Sequence, residues 1–436
     1  MKYYLIAGEA SGDLHASNLM KALKRKDTAA EFRFFGGDMM KAVGGELVRH
    51  YRDMAFMGVI PVLMNLRKVL SNLSVCRRDV VSFHPDALIL IDYPGFNLKI
   101  ARYVKEQMPD IKVFYYISPK IWAWKKYRIK AIRRYVDRMM CILPFEKEFY
   151  AGLGYNVDYV GNPCVDSVSA FLESVKDKPD NFLFNNKLSE KPVLAILPGS
   201  RKAEIAQNLP VMLSVVAQYP EYQVVIAGAP GLTADDYSDV ATKSPAVIFG
   251  QTYNILRHSA VALVTSGTAT LETALLRVPQ IVCYYITGGR FSSFVFRTFF
   301  HTPFISLVNL IAGREVVKEL YGGDFTVGKV YCELKRIIED ADYRHRMMDG
   351  YDEVIGRAGL PGASERAAGL IIDCFVPRND VIPLSSLQTP SPSSFFPQAK
   401  KKKRTPPSSS LRTPPSSSLR TNVKQSINIQ NDEQDK

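Results

Sequence analysis

Short runs of consecutive apolar, β-favouring residues recur along the first 375 positions. They predict strands at Lys2–Ala7, Ala87–Ile91, Lys112–Ile117, Arg138–Leu143, Val193–Leu197, Gln223–Ala227, Ala246–Phe249, Val261–Val264 and Gln280–Tyr284. Most of these runs are continuous rather than alternating, the pattern of parallel strands covered on both faces. Between them, apolar positions at helical spacing predict helices over His15–Lys26, Asn97–Gln107, Leu209–Gln218 and Thr268–Leu276. Repeated strand–helix units imply doubly wound α/β sheets with right-handed crossovers. The pattern lapses between Pro163 and Lys191, where Pro, Asp, Lys and Asn mix, and restarts at Lys-Pro-Val-Leu-Ala-Ile-Leu. That lapse is the expected domain boundary. A chain of 436 residues is also long for a single core. Two such domains facing each other would form a cleft at the carboxyl ends of their strands.

From Arg378 onward the character changes. Pro, Ser and Thr dominate, Lys400 to Arg404 are all basic, and Thr-Pro-Pro-Ser-Ser-Ser-Leu-Arg occurs at Thr405 and again at Thr413. Such a segment buries too little apolar surface to offset its ordering entropy, so disorder is expected. No apolar run reaches the roughly 18 to 20 residues that span a bilayer. Met1–Ala7 is too short for a secretory signal, so a cytoplasmic protein is expected. The six cysteines are scattered without C-x-x-C or zinc-like spacing, as in reduced, mostly buried thiols. The net charge is +13, which favours phosphate-bearing partners. Within the predicted folded part, eight basic residues and one acid fall between Lys120 and Arg138. This stretch holds both tryptophans, Trp122 and Trp124, beside Lys125, Lys126 and Arg128, the composition of an interfacial anchor. The apolar stretch Met54–Leu73 suits either a core helix or a surface for acyl chains.

Candidate chemistry lies at strand ends. Leu197-Pro198-Gly199-Ser200-Arg201-Lys202-Ala203-Glu204 passes from strand to helix, where backbone N–H groups and the helix dipole suit an anion and Arg201 can fork onto a diphosphate. A capped turn with a surface Arg has the same pattern. Ser266-Gly267-Thr268 repeats this architecture, and Glu272 follows without the spacing of a capping partner, so it suits a ribose contact or a solvated first-turn acid. Asp92 ends an apolar strand before Tyr-Pro-Gly-Phe-Asn and is either a general base or a turn former. Gly8-Glu9-Ala10-Ser11-Gly12-Asp13 closes the first strand without dinucleotide spacing. The lone D-x-D match, Asp340-Ala341-Asp342, lies in a polar helical stretch, so no metal or other cofactor is expected.

Seven segments in order resemble the lipid-A-disaccharide synthase family: 7–13 (AGEASGD), 91–97 (IDYPGFN), 118–124 (SPKIWAW), 143–150 (LPFEKEFY), 197–201 (LPGSR), 266–272 (SGTATLE) and 309–315 (NLIAGRE). The resemblance implies a GT-B fold of two Rossmann-like domains, 1–165 on the acceptor and membrane side and 166–345 binding the UDP-sugar. Helices 346–377 would pack back on the first domain. It implies transfer from UDP-2,3-diacylglucosamine to 2,3-diacylglucosamine 1-phosphate (lipid X) at the cytoplasmic face of the inner membrane, giving a β(1→6) disaccharide 1-phosphate and UDP. Nucleic acid is not an expected partner, and a homodimer is compatible with the family. Carried over, Asp92 is the base. Glu9, Ser11, Gly12 and Asn97 face the acceptor. Gly199, Ser200, Arg201, Glu204, Ser266, Gly267, Thr268, Glu272, Asn309, Arg314 and Glu315 face the donor. Trp122, Trp124, Lys125, Lys126 and Arg128 contact the membrane. Asn162 replaces a His that some relatives carry. The competing readings are another GT-B-like enzyme, such as a UDP-N-acetylglucosamine 2-epimerase, or a non-catalytic protein that binds anionic lipid or nucleic acid.

Overall fold

The computed structural model describes residues 1–54, 66–123, 125–238, 246–286 and 304–375. Trp124, the middle of the apolar stretch 54–73 and the tail 378–436 lie outside the described residues.

Two wholly parallel sheets organise the chain. The first contains β1 (Lys2–Ala7), β2 (Glu31–Gly36), β3 (Glu46–His50), β4 (Ala87–Ile91), β5 (Lys112–Tyr116), β6 (Arg138–Cys141) and β7 (Asp158–Tyr159), in the spatial order β3-β2-β1-β4-β5-β6-β7. The second contains β8 (Val193–Leu197), β9 (Gln223–Gly228), β10 (Ala246–Phe249), β11 (Ser259–Thr265), β12 (Gln280–Tyr284) and β13 (Lys318–Tyr321), in the order β10-β9-β8-β11-β12-β13. Both sheets show the doubly wound order in which the first strand lies beside the fourth. The strands expected from continuous apolar runs are those of the sheet centres: β1, β4 and β8 are buried along nearly their whole length. The ones missed are the edge strands β3, β7 and β13 and the inner strand β2, whose run Arg33 interrupts. In β3 and β13 polar and apolar residues mix, because one face or edge is open.

Helix starts also differ from expectation. The helix expected from Leu209 begins at Lys202 and runs through Pro210, and the first helix begins at Ala10. Ser11, Gly12 and Asp13 are therefore first-turn residues. The buried Asp13 carboxylate accepts from the backbone N–H groups of Gly37, Met39 and Met40 at 2.8, 3.0 and 3.1 Å, which ties the end of β2 to the first helix.

The return to the first sheet starts later than residue 346. Helix Ala341–Ala358 packs with the second sheet, where Met347, Tyr351, Val354 and Ile355 join the core around β11 and β12. Only helix Ala363–Ile372 crosses back, and Ala367, Ala368 and Ile371 pack against the first sheet and helix Ala10–Lys26. Asp166, in the first turn of helix Pro163–Val175, holds this crossing. Its carboxylate accepts from the N–H groups of Gly362, Ala363 and Ser364 at 2.7, 3.0 and 3.0 Å. Those are N-terminal helix donors with no partner inside their own helix. Asn162 caps the same helix Pro163–Val175, accepting from Cys164 N–H at 3.0 Å, so its position is explained structurally.

Asp166→Ala leaves three helix-start donors without their carboxylate and is expected to lower stability by about 1–3 kcal/mol in urea denaturation. An unchanged midpoint would mean that the apolar face of helix Ala363–Ile372 alone holds the crossing.

Candidate active site

The order reversal in each sheet leaves a crevice at the carboxyl ends of the two strands beside it. Both crevices open into one cleft of about 1960 Å³. On the first sheet it is reached by Glu9 and Ser11 after β1 and by Asp92 after β4. On the second it is reached by Gly199, Ser200, Arg201 and Glu204 after β8, and by Ser266, Gly267, Thr268 and Glu272 after β11.

Asp92 is presented on a strained elbow. Asp92 and Tyr93 both take left-handed backbone angles, φ +43° and +47°, which non-glycine residues rarely adopt. Asn97 Nδ2 donates to Asp92 O at 2.7 Å and to Ile91 O at 3.2 Å, and Tyr115 OH donates to Asp92 O at 2.5 Å. Tyr93 lies flat against Gly8, where a Cβ would fall 2.5 Å from its ring, so only glycine fits there. Asn97 is thus wholly buried and braces the elbow. It does not reach the cleft, which corrects its expected acceptor contact. Gly12 is buried too, packed on Ala7 and Ile91. Burial raises the pKa of Asp92, opposed by the nearby positive charges of Lys120 and Arg128.

On the opposite wall, Gly199 takes φ +132° and lies so near Glu204 that a Cβ would fall 2.7 Å from the Glu204 side chain. Glu204 accepts from Ser200 N–H at 3.0 Å and pairs with Arg201 at 2.6 Å. Arg201 also reaches across the cleft to Glu9 at 3.2 Å. Burial raises the Glu9 pKa, and Arg201 opposes this. Ser266 donates to Ile305 O at 2.9 Å. Glu272 is buried, its carboxyl raised by burial, and its bonded partner is Tyr253 OH at 2.8 Å.

Three expected donor contacts do not face the cleft. Asn309 is fully buried, donating to Val317 O at 2.9 Å and Glu319 at 2.8 Å and accepting from Val316 N–H at 2.7 Å, so it staples the turn before β13. Arg314 pairs with Glu353 at 2.5 Å on helix Ala341–Ala358, and Glu315 pairs with Lys318 at 3.2 Å, all near the surface. Trp122 is likewise not a membrane anchor. It is 9% exposed, and its indole N–H donates at 2.9 Å to buried Glu146, which also accepts from Ser118 Oγ and the backbone N–H groups of Ile142 and Leu143. Its ring meets Phe145 edge-on. Lys125 and Arg128 line the cleft, while Lys126 points to solvent.

Two supporting residues were missed. Glu146 was passed over within a helix-start sequence. Asn208 ties the second crevice together, donating to Pro198 O at 2.9 Å and Thr265 Oγ1 at 3.1 Å and accepting from Tyr285 N–H at 2.9 Å. Its signal was present: a lone amide among Ile205, Leu209 and Met212 on the buried face of an amphipathic helix. Asp340 of the D-x-D match caps helix Ala341–Ala358, accepting from Tyr343 N–H at 2.9 Å. Among the described residues no group of three His, Cys, Asp or Glu side chains is arranged to hold a metal ion.

A family model described as "Lipid-A-disaccharide synthetase" matches residues 3–366. The chain belongs to the lipid-A-disaccharide synthase family. Members named lipid-A-disaccharide synthase include one from Myxococcus xanthus, 36% identical over 384 residues (86% of this chain, 97% of the relative), and one from Syntrophus aciditrophicus, 37% identical over 372 residues (84% and 95%). As a member of the lipid-A-disaccharide synthase family the protein is a glycosyltransferase. Among solved structures, the UDP-GlcNAc 2-epimerase of Neisseria meningitidis bound to UDP-GlcNAc superposes with TM-score 0.59 at 14% identity, covering 86% of this chain and 100% of that one. A putative UDP-N-acetylglucosamine 2-epimerase of Listeria monocytogenes gives 0.60 at 13%, covering 86% and 96%. These two share the two-sheet GT-B architecture of the synthase family, and at such identity the likeness concerns fold alone.

Glu272 has a folded pKa raised above its unfolded value. The cost of burying its charge grows as pH rises above the unfolded value, is full above the folded pKa, and vanishes below the unfolded value. Glu272→Gln, which keeps an acceptor for Tyr253, is therefore expected to raise stability at pH 8 by about 1 kcal/mol and to raise it less at pH 5. Equal gains in thermal melts at the two pH values would contradict a buried, charged Glu272.

Proposed function

We propose that the cleft joins UDP-2,3-diacylglucosamine to the 6-hydroxyl of 2,3-diacylglucosamine 1-phosphate with inversion. The observation that carries this reading is a single cleft in which Asp92 faces an Arg-bearing strand–helix loop and a second helix start. The donor diphosphate lies against Arg201 and the N-termini of helices Lys202–Val216 and Thr268–Leu275, whose free N–H groups and dipoles favour anions. Glu272 accepts from the ribose. Arg201 exchanges Glu9 for phosphate oxygens when the donor enters.

The acceptor lies toward Glu9 and Ser11. Its O6 attacks the anomeric carbon as the bond from that carbon to the diphosphate oxygen breaks, and the O6 proton passes to Asp92. A β product from an α-linked donor needs one in-line displacement and one base, so a lone carboxylate suffices. Leu14, Met39, Val69, Leu73, Tyr93 and Phe96 give the acceptor side an apolar wall suited to acyl chains.

Work at a membrane surface is supported by the exposed basic face of Lys126, Lys130, Arg133 and Arg134 beside Tyr127, which is 67% exposed. This face takes over the role first expected of Trp122. No described helix is long and apolar enough to cross a membrane, which suits peripheral attachment. The epimerase alternative has only architecture in its favour, since the relatives of similar sequence are synthases.

UDP release by purified protein in detergent and EDTA is expected to require both lipid substrates and to fall about 10²- to 10⁴-fold in Asp92→Asn. Acceptor-independent release, or loss of activity in EDTA, would refute the metal-free transfer. The base works ionised, so wild-type activity should fall as pH drops through the raised Asp92 pKa, above the usual carboxylate range near ~4. An acid limb at or below that range would argue against Asp92 as the base.

A further inference from the structure

One lobe of the cleft has no task in the transfer just described. Its first wall continues from Ser11 along a face of helix Ala10–Lys26: His15, Asn18, Lys21 and Arg25 recur at three- and four-residue spacing, and all four line the cleft. Its second wall is the start of helix Ala363–Ile372, with Gly362, Ser364 and Glu365, packed alongside the first helix.

One polar atom here lacks a partner among the described residues: His15 Nδ1, on a residue only 3% exposed, while Ser364 Oγ lies beside the buried hydroxyl of Tyr116. Folded chains rarely leave such a group unbonded at this depth, so His15 Nδ1 points to a ligand. Burial pushes the His15 pKa down to about 4, so the ring is neutral near pH 7 and holds one N–H to donate. Ser364 and Asn18 add donors. Lys21 is exposed at the mouth and forms no ion pair among the described residues. Arg25 and Glu365 pair with each other. The carboxylate of Asp166, which also lines this lobe, is committed to the three N–H groups of residues 362–364. The remaining inventory is donor-rich and carries an uncommitted cation, the complement of an oxygen-rich anion.

We propose that this lobe is the subsite for the phosphate monoester of the acceptor, with Lys21 and Asn18 on the phosphate oxygens and His15 and Ser364 beneath them. The assignment rests on the transferase reading and adds to it where the acceptor's charged end lies. Geometry agrees with this direction. Glu9 is close enough to Asp92 to feel its charge, and the helix rises about 1.5 Å per residue, so Asn18 lies about 10 Å along it from Ser11. An acceptor with its hydroxyl at Asp92 meets this helix at its Glu9 end.

The test compares wild type with Lys21→Met, a solvent-exposed change that leaves the core intact, and with His15→Gln. Each is assayed with the phosphorylated acceptor and with the same diacylglucosamine lacking phosphate. Lys21→Met is expected to raise KM for the phosphorylated acceptor about tenfold, with donor KM unchanged and no effect on the unphosphorylated acceptor. His15→Gln should reduce the same preference. Equal effects on both acceptors, or none on either, would overturn the subsite. A separate arm measures binding of glucosamine 1-phosphate by calorimetry, which needs no turnover. Wild-type protein that binds it through Lys21 but releases no UDP would refute the transferase reading and retain the subsite. Binding equal in wild type and Lys21→Met would overturn the subsite whatever the activity.

Discussion

The structure depends on a constraint of parallel sheets: all strands finish at the same edge, and a sheet wound outward in both directions from its first strand must have a pair of neighbours whose connections leave toward opposite faces. At that pair no helix covers the strand ends. The chain has this arrangement twice, at β1/β4 and at β8/β11, and turns the two open edges toward each other. Every cleft group discussed for transfer chemistry follows from that placement. Glu9 and Asp92 come from one reversal, and Arg201, Glu204 and Glu272 from the other. The Glu9–Arg201 pair at 3.2 Å is a direct polar link between the two edges.

The site around this constraint is built from polar groups that spend their hydrogen-bonding capacity on backbone. Asn97 holds the left-handed elbow at Asp92, Asn208 joins the ends of β8 and β11, Asn309 staples the turn before β13, and Glu146 anchors the loop bearing Lys120 and Trp122. Each is buried and bonded to neighbouring protein groups, so it fixes geometry rather than ligand. The carboxylates that face the cleft are the opposite case. Glu9, Asp92 and Glu272 have few partners and raised pKa values, chiefly from burial. Recessed carboxylates with raised pKa values and few partners are what proton transfer and exchange of ligands require. The strain at Asp92 and Tyr93 belongs with this, because an elbow kept in left-handed angles by three hydrogen bonds persists only where its surroundings over-determine it.

Reading the chain in order recovered the sheet centres, because a strand covered on both faces must be apolar throughout. It missed β2, β3, β7 and β13, which are interrupted by polar residues, as Arg33 interrupts β2, or are too short to show a run. The strand-end loops at 8–13, 92–97, 197–204 and 266–272 were legible as sites from Gly, hydroxyl and charged residues at strand-to-helix turns. Which of their residues face the cleft was not. Asn97 and Asn309 belong to conspicuous motifs yet point inward, and Trp122 has the company of a membrane anchor yet fills the core. An amide, an indole or a guanidinium looks alike in sequence whether it binds a ligand or a neighbouring carbonyl.

By itself, then, the sequence determined the α/β class, the two-domain rhythm, the family and the strand ends where chemistry gathers, because these depend on local periodicity and on short motifs. Only the tertiary structure decided that Arg201 meets Glu9, 192 residues away in sequence, and that Glu272 is paired to Tyr253. It alone showed that the crossing back begins at Gly362 under the hold of Asp166, and that His15 and Ser364 share a lobe with Lys21. Burial and partnership are properties of three-dimensional neighbours, and no spacing along the chain encodes which distant segment supplies them.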